Sequence, residues 1–209
     1  MICVECKSKV PIENTKKIHC LKCNYKIDKY SQTSLTLQYI DCLLLKPQIY
    51  AHFLVNCRIS NSRLFSTMLL QLLCILIGHL TYISNVEIPL LSQYAIMFDF
   101  RFQFPYFVTY LILNCVIFRH IGIKNVIFIL LFSSFFNLFK ILFAIWKYDI
   151  IFPYFILEIL NLCSNVVAMK CFIPSHMKIF VHILVSKAFS FCIVSFFLSK
   201  KGFLICKIN

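Results

Sequence analysis

The sequence is short of charge, of acid and of glycine. Only 14% of its 209 residues are charged, Asp and Glu number 8, and Gly occurs 3 times. A soluble domain is about half apolar and gives about a quarter of its residues to charge. Here 60% is hydrophobic and the mean hydropathy is +0.82. That balance excludes an ordinary water-soluble globule, because lipid must replace water over much of the surface. The first ~30 residues are polar and lysine-rich and lack an apolar core, so no cleavable signal peptide is expected. The first apolar span should then serve as an uncleaved anchor. Internal repeats and low-complexity linkers are absent too.

Missing motifs narrow the function classes. There is no Asp-His-His-Cys block, no H-x-x-x-x-D acyltransferase motif and no serine elbow. His52, His79, His120, His176 and His182 are scattered, so an enzyme is not expected. A ubiquitin ligase of the cross-brace type needs about eight zinc ligands, and only four candidates cluster. Net charge is +13, but the basic residues are spread along the chain. That pattern fits cytosolic segments of a membrane protein and not nucleic-acid binding.

Twelve cysteines are present. Eight (Cys42, Cys57, Cys74, Cys115, Cys163, Cys171, Cys192, Cys206) are isolated, mostly in apolar runs, where cysteine behaves as a small hydrophobe. The other four form Cys3-x-x-Cys6, thirteen residues, then Cys20-x-x-Cys23. Two such turns converging on one ion give zinc its tetrahedral thiolate shell. A head this small buries too little apolar area to fold alone, so metal binding must supply roughly 10 kcal/mol of folding free energy. One structural zinc per chain is expected. Two disulfides are the alternative, disfavoured in a reducing cytosol, as is a redox C-x-x-C lacking a βαβ context. His19 is a possible competing ligand. Asn24, after the second knuckle, can take a left-handed conformation; Lys7, at the matching place in the first, is expected to be strained there.

Five apolar runs bracketed by charge follow, at about 64–84, 102–118, 125–146, 150–169 and 179–199. About 20 residues cross a bilayer as a helix, and lipid-exposed backbone must satisfy itself. The expected fold is therefore an all-α polytopic membrane protein with four or five transmembrane helices and a small zinc-ribbon-like head. Its parts are a zinc head (1–30), amphipathic interfacial helices (31–63) and a transmembrane region (64–209). The second run is short and is the best candidate for a re-entrant or interfacial segment. Residues 1–63 hold ten of the 21 basic residues, which puts the amino terminus in the cytosol. With five spans the tail, carrying Lys200, Lys201 and Lys207, falls in the lumen against the charge rule. Tyr82, Tyr106, Trp146, Tyr148 and Tyr154 near span ends fit interfacial aromatic belts.

Between head and spans, Pro47 divides an apolar run, so two short helices are expected, laying the head against the bilayer. This stretch carries Asp41, Leu43, Leu44, Leu45, Lys46, Pro47, Gln48, Tyr50, His52, Leu54 and Asn56. A second block holds Ser133, Ser134, Phe135, Leu138, Phe139, Ile145, Trp146, Tyr148 and Asp149. A third holds Leu162, Ser164, Asn165, Val166 and Ala168. With the leading M-x-C-x-x-C motif, these blocks resemble, in consistent order, the Arv family of endoplasmic-reticulum lipid-homeostasis proteins, from residue 1 to about 170. Departures are Lys7 and Phe136, where that family usually has Gly. The resemblance implies a multi-pass protein of the endoplasmic reticulum, with the Golgi a second location. It also implies a role in sterol distribution, sphingolipid balance and glycosylphosphatidylinositol (GPI) anchor synthesis. Partners would be membrane lipids and other membrane proteins of that compartment. A scaffold or accessory subunit of a lipid-synthesising complex is the alternative.

Polar groups inside a bilayer are costly and usually have a reason. Glu158, Asn161 and Asn165 share one face of the fourth span at i, i+3 and i+7. Asn137 and Lys140 share a face of the third, and Lys187 lies in the fifth. A Glu158–Lys140 or Glu158–Lys187 pair is expected. These groups are either glue between helices or a seam that holds a lipid headgroup.

Overall fold

A computed structural model describes residues 1–10, 19–57, 59–84, 100–140, 142, 151–173 and 175–200. Glu87 and Asp99, the Trp146–Asp149 part of the second block, and Lys201, Cys206 and Lys207 lie outside them, as do the side chains of Tyr82 and Tyr154.

The described residues are mostly helical, with isolated bridges in place of strands. The two short helices foreseen around Pro47 form as α1 (Leu35–Leu43) and α2 (Pro47–Ala51). Ser34 caps α1 by accepting from the Leu37 amide, as N-cap serines do. The helix ends in a Schellman motif: the Lys46 amide donates to Asp41 and the Leu45 amide to Cys42. That motif needs a left-handed residue, here Leu45 at φ 54°. Pro47 then starts α2 at the position where a missing N–H is harmless. α2 runs directly into a π-helical turn, His52–Asn56.

Four long helices and a broken one follow. They are α3 (Asn61–Ser84), α4 (Phe100–Ile117), α5 (Ile123–Ser133), α6 (Ile151–Met169) and α7 (His176–Lys200). All five expected runs thus contain helix. Two stretches, Asn61–Leu80 and Met177–Leu198, are long and apolar enough to cross a bilayer. Their outward rows expose Phe65, Leu69 and Leu80 on α3 and Val185, Phe196 and Phe197 on α7. Such continuous apolar faces call for lipid rather than water. α4 lies along α7 in the most extensive helix pair. Gly122 makes the α4–α5 turn at φ 93°, where a side chain would be strained.

The third run is not one continuous helix, contrary to the span 125–146 read from sequence. α5 stops at Ser133, and a 3-10 turn covers Phe135–Leu138. Ser133 Oγ donates back to the Ile129 carbonyl at 2.7 Å, a bond that bends helices. Carbonyls at the break need partners in an apolar medium, and the Asn137 amide already serves Ser134 O. Gln71 of α3 reaches across to them, its Nε2 donating to Leu131 O at 3.1 Å and Ser134 O at 3.0 Å.

One apolar core joins linker and bundle. Ile49, Tyr50 and Leu54 pack with Ile129 and Leu130 of α5, Met169 of α6 and Ile179 of α7. α2 is therefore a wedge between head and bundle, whereas α1 turns Leu35, Tyr39 and Leu44 outward. The head sits on the other side of this wedge. Gln48, His52 and Asn56 point toward it, touching Glu5, Asp28 and Ile2 respectively. Asn56 makes the tightest grip: its Oδ1 accepts from the Ile2 amide at 2.8 Å, and its Nδ2 donates to Ile2 O at 3.0 Å and Asp28 Oδ2 at 2.8 Å.

Asn56→Ala should loosen the head at a cost of roughly 2 kcal/mol. Limited trypsin treatment of the detergent-solubilised chain should then cut at Lys7 or Lys9 at least several-fold faster, with the helical bundle still protected. Unchanged cleavage would mean that the head is held by other contacts.

Candidate functional site

Each C-x-x-C turn is a knuckle built the same way. In the first, the Cys3 amide donates to Ser8 O and the Lys7 amide to Cys3 O; in the second, Cys20 donates to Tyr25 O and Asn24 to Cys20 O. Antiparallel bridges Ile2–Lys9 and His19–Lys26 close the two turns. Lys7 and Asn24 both sit at φ 58°. The knuckle thus demands a left-handed residue after its second cysteine, as the sequence led us to expect for Asn24 and as a strain at Lys7.

The four sulfurs converge. Cys3, Cys6, Cys20 and Cys23 place their Sγ atoms within 4.8 Å of one another. Cys3 and Cys23 are 3.6 Å apart, and Cys6 and Cys20 are 3.7 Å apart. A tetrahedral ion with metal–sulfur bonds of about 2.3 Å needs its sulfurs about 3.8 Å apart, whereas a disulfide needs about 2.05 Å. The donor set therefore fits one metal ion, and all four thiols are free. His19 stands outside this cluster, exposed, with Nδ1 3.1 Å from the Asn24 carbonyl.

Metal-free, the four thiols differ. The Ser8 hydroxyl, 2.9 Å from Cys6 and 3.5 Å from Cys20, lowers both thiols, Cys20 to about 6, with backbone amides helping. Burial pushes Cys3 up to about 12. Cys20 is thus the readiest of the sulfurs to take a cation, and Cys3 must give up its proton to it. Metal affinity therefore rises with pH, because binding expels protons.

The docking contacts are electrostatic as well. Lys29 bonds Glu5 at 2.7 Å and, with Gln48, holds its carboxyl below the ordinary 4.5. Burial raises Asp28, but His52 and Asn56 outweigh it and hold that carboxyl below 3.8. Depressed carboxyls contribute stability that is complete above their ordinary values and is lost as pH falls through the folded ones. Docking should therefore persist down to about pH 4 and fail below it.

Behind the wedge, polar side chains form a chain through the bundle. Tyr50 OH lies 2.7 Å from Ser164 Oγ of α6. Ser133 Oγ shares its one proton between Ile129 O and Asn165 Oδ1, and Asn165 Nδ2 donates to Tyr110 OH at 3.0 Å. Asn161 Nδ2 donates to Asn137 Oδ1 at 2.8 Å, and Asn137 Nδ2 to Gln71 Oε1 at 3.0 Å. Glu158 pairs with Lys187 at 2.7 Å, the second of the two partners offered from sequence. Lys140 is buried on the same side of the broken helix. Of the seam residues read from sequence, Asn137 and Asn161 are thus in direct contact, while Asn165 and Glu158 bond to other helices. Asn161 Oδ1 is buried without a hydrogen-bond partner among the described residues.

Several participants were not singled out from sequence. Gln71 is a lone amide in an otherwise apolar run, which is itself a signal. Gln48, His52 and Asn56 entered only as part of the family-like block, although they recur every four residues, the spacing of one helical face. Tyr110 carried no such mark.

Two substitutions test the knuckle geometry. Lys7→Gly relieves a left-handed lysine and should favour the loaded head by about 1 kcal/mol; Asn24→Gly should gain only a few tenths, since Asn tolerates that region. Titration with a chelator reads the difference as a higher concentration for half-release in Lys7→Gly. Equal midpoints for both variants would contradict the assigned strain.

Comparison with known proteins agrees with this layout. No curated protein and no solved structure matches the chain. The Arv1-like family model matches residues 2–169, a stretch that holds the knuckles, the wedge, the broken helix and α6. The chain is a member of the Arv1-like family.

Proposed function

We propose that this chain is a non-enzymatic lipid-homeostasis factor of the endoplasmic-reticulum membrane, with a cytosolic zinc head fixed to a lipid-facing helical bundle. Family membership over residues 2–169 supports a role in lipid homeostasis. The finer reading extends it to sterol distribution, sphingolipid balance and support of GPI-anchor synthesis, without nucleic-acid partners. Zinc is the metal because four thiolates in a closed tetrahedron suit it and leave no position for water or substrate. Its role is then structural. The bundle crosses the membrane four or five times in this reading, with α4 the candidate for a re-entrant segment.

The observation that carries the lipid reading is the amide chain Gln71–Asn137–Asn161 at the helix break. Irregular backbone at membrane depth is tolerated where it is buried in protein or lines a cavity, and broken helices mark binding sites in membrane transporters. Asn161 Oδ1, buried and unpartnered among the described residues, offers an acceptor to the hydroxyl of a sterol or a lipid headgroup. Asn137, Lys140, Glu158, Asn161 and Asn165 then form the polar seam. The second reading is a scaffold for a lipid-synthesising complex, in which the same amides only tie helices together; the bonds they already make to each other favour it in part.

Purified protein should carry one zinc per chain, and Cys20→Ser should lose it. Crosslinking with photoreactive sterol and with a phosphatidylinositol-type probe separates the two readings. Labelling that falls severalfold in Asn161→Leu or Glu158→Gln, at unchanged expression, supports the seam. Labelling of neither probe, or labelling indifferent to both variants, refutes it and leaves the scaffold.

A further inference from the structure

Cys57 looked from sequence like one more isolated cysteine. The π turn changes its setting. Its amide donates to the His52 carbonyl at 2.9 Å, five residues back instead of four. That register sets the Cys57 side chain against the His52 ring, with Sγ 3.5 Å from Nε2. The other ring nitrogen, Nδ1, lies 2.8 Å from Asp28 Oδ2. A carboxylate there accepts the Nδ1 proton and so assigns the tautomer whose Nε2 lone pair faces the thiol. The ring is also fixed on its sides, by Tyr30 at 5.9 Å and Phe53 at 5.1 Å between centroids. Asp28 is held in turn by the Asn56 amide. Thiol, base and orienting carboxylate in line are the arrangement that activates a nucleophile. π turns are frequent at functional sites.

The surroundings select the electrophile. His52 and Asp28 are buried, whereas Cys57 is partly exposed. It lies four residues before Asn61, where α3, a helix long and apolar enough to cross a bilayer, begins. A thiol at that position meets acyl chains arriving along the membrane surface, and juxtamembrane cysteines are substrates for reversible S-acylation.

We propose that Cys57 is an activated juxtamembrane thiol that accepts a long-chain acyl group from an acyl thioester. His52 Nε2 takes the Sγ proton as Sγ attacks the thioester carbonyl. The new Sγ–acyl bond forms, the donor's carbon–sulfur bond breaks, and His52 returns the proton to the departing thiolate. Nothing is oxidised or reduced. Cys57 is the nucleophile, His52 the base, and Asp28 a positioning residue. The acyl chain would insert beside α3 and add a lipid anchor to the segment that grips the head. Because the step modifies the chain once, it is compatible with a non-enzymatic role and does not depend on the polar seam.

The test uses the full-length, metal-loaded protein in detergent with alkyne-tagged palmitoyl-coenzyme A as the probe. Hydroxylamine-sensitive label should map to Cys57, disappear in Cys57→Ala and form at least tenfold more slowly in His52→Gln. Asp28→Asn should give an intermediate loss. Label absent from Cys57, or gained there no faster than at the exposed thiols Cys163 and Cys192, overturns the proposal. Since His52 and Asp28 also hold the head, metal content is measured in each variant. A second measurement needs no variant: iodoacetamide alkylation of the wild type should be at least severalfold faster at Cys57 than at the exposed thiols Cys163 and Cys192, and equal rates also overturn the proposal.

Discussion

On the proposed reading, the amino-terminal third depends on the bonds that the four clustered cysteines make to one metal ion. The head's apolar cluster amounts to Cys3, Cys20 and Ile27 with a few partly buried neighbours. Ladder bonds are limited, among the described residues, to the two isolated bridges. Conformational entropy of roughly 1–2 kcal/mol per ordered residue overwhelms so small a core. A tetrahedral shell reverses that balance, and it also fixes the one surface that matters to the rest of the chain. Ile2 precedes a ligand directly, and Asp28 follows the second knuckle. With both held, Asn56 and His52 find preplaced partners, and the order of the head is passed to the wedge.

From the wedge the same constraint runs inward. Tyr50 stands on the opposite face of α2 from Gln48 and His52, and it bonds Ser164 on α6. Ser164 adjoins Asn165, which reaches both the helix break at Ser133 and Tyr110 on α4. Each link is a buried polar group whose alternative in an apolar medium is an unpaired one. Such networks fix a unique arrangement more than they add net stability, since bonds between membrane helices average about 0.6 kcal/mol. The cysteine head and the bundle are therefore joined through the wedge, with an apolar core of Ile49, Ile129 and Ile179 behind it.

What was legible in the sequence follows from which rules are local. The knuckles were readable because two C-x-x-C turns have few geometric solutions, and even the strain at Lys7 was visible from a position that prefers glycine. Pro47 announced the division into α1 and α2. The charge-bracketed runs marked where helices would fall. The break at Ser133–Ser134 was not readable, because the Gln71 amide that satisfies its carbonyls comes from another helix. The Glu158–Lys187 pair likewise depends on helix rotation, which periodicity does not fix. The π turn was hidden for a related reason: its extra residue is stabilised by what His52 and Asn56 hold on the head, at a distance of more than twenty residues in sequence.

The most direct measurement of this coupling is amide hydrogen exchange in a lipid bilayer, before and after zinc chelation. Loss of protection in residues 1–10 together with residues 48–57, while α7 keeps its own, is the expected result. A head that opens on chelation while residues 48–57 stay protected would contradict the claim that the metal organises the wedge.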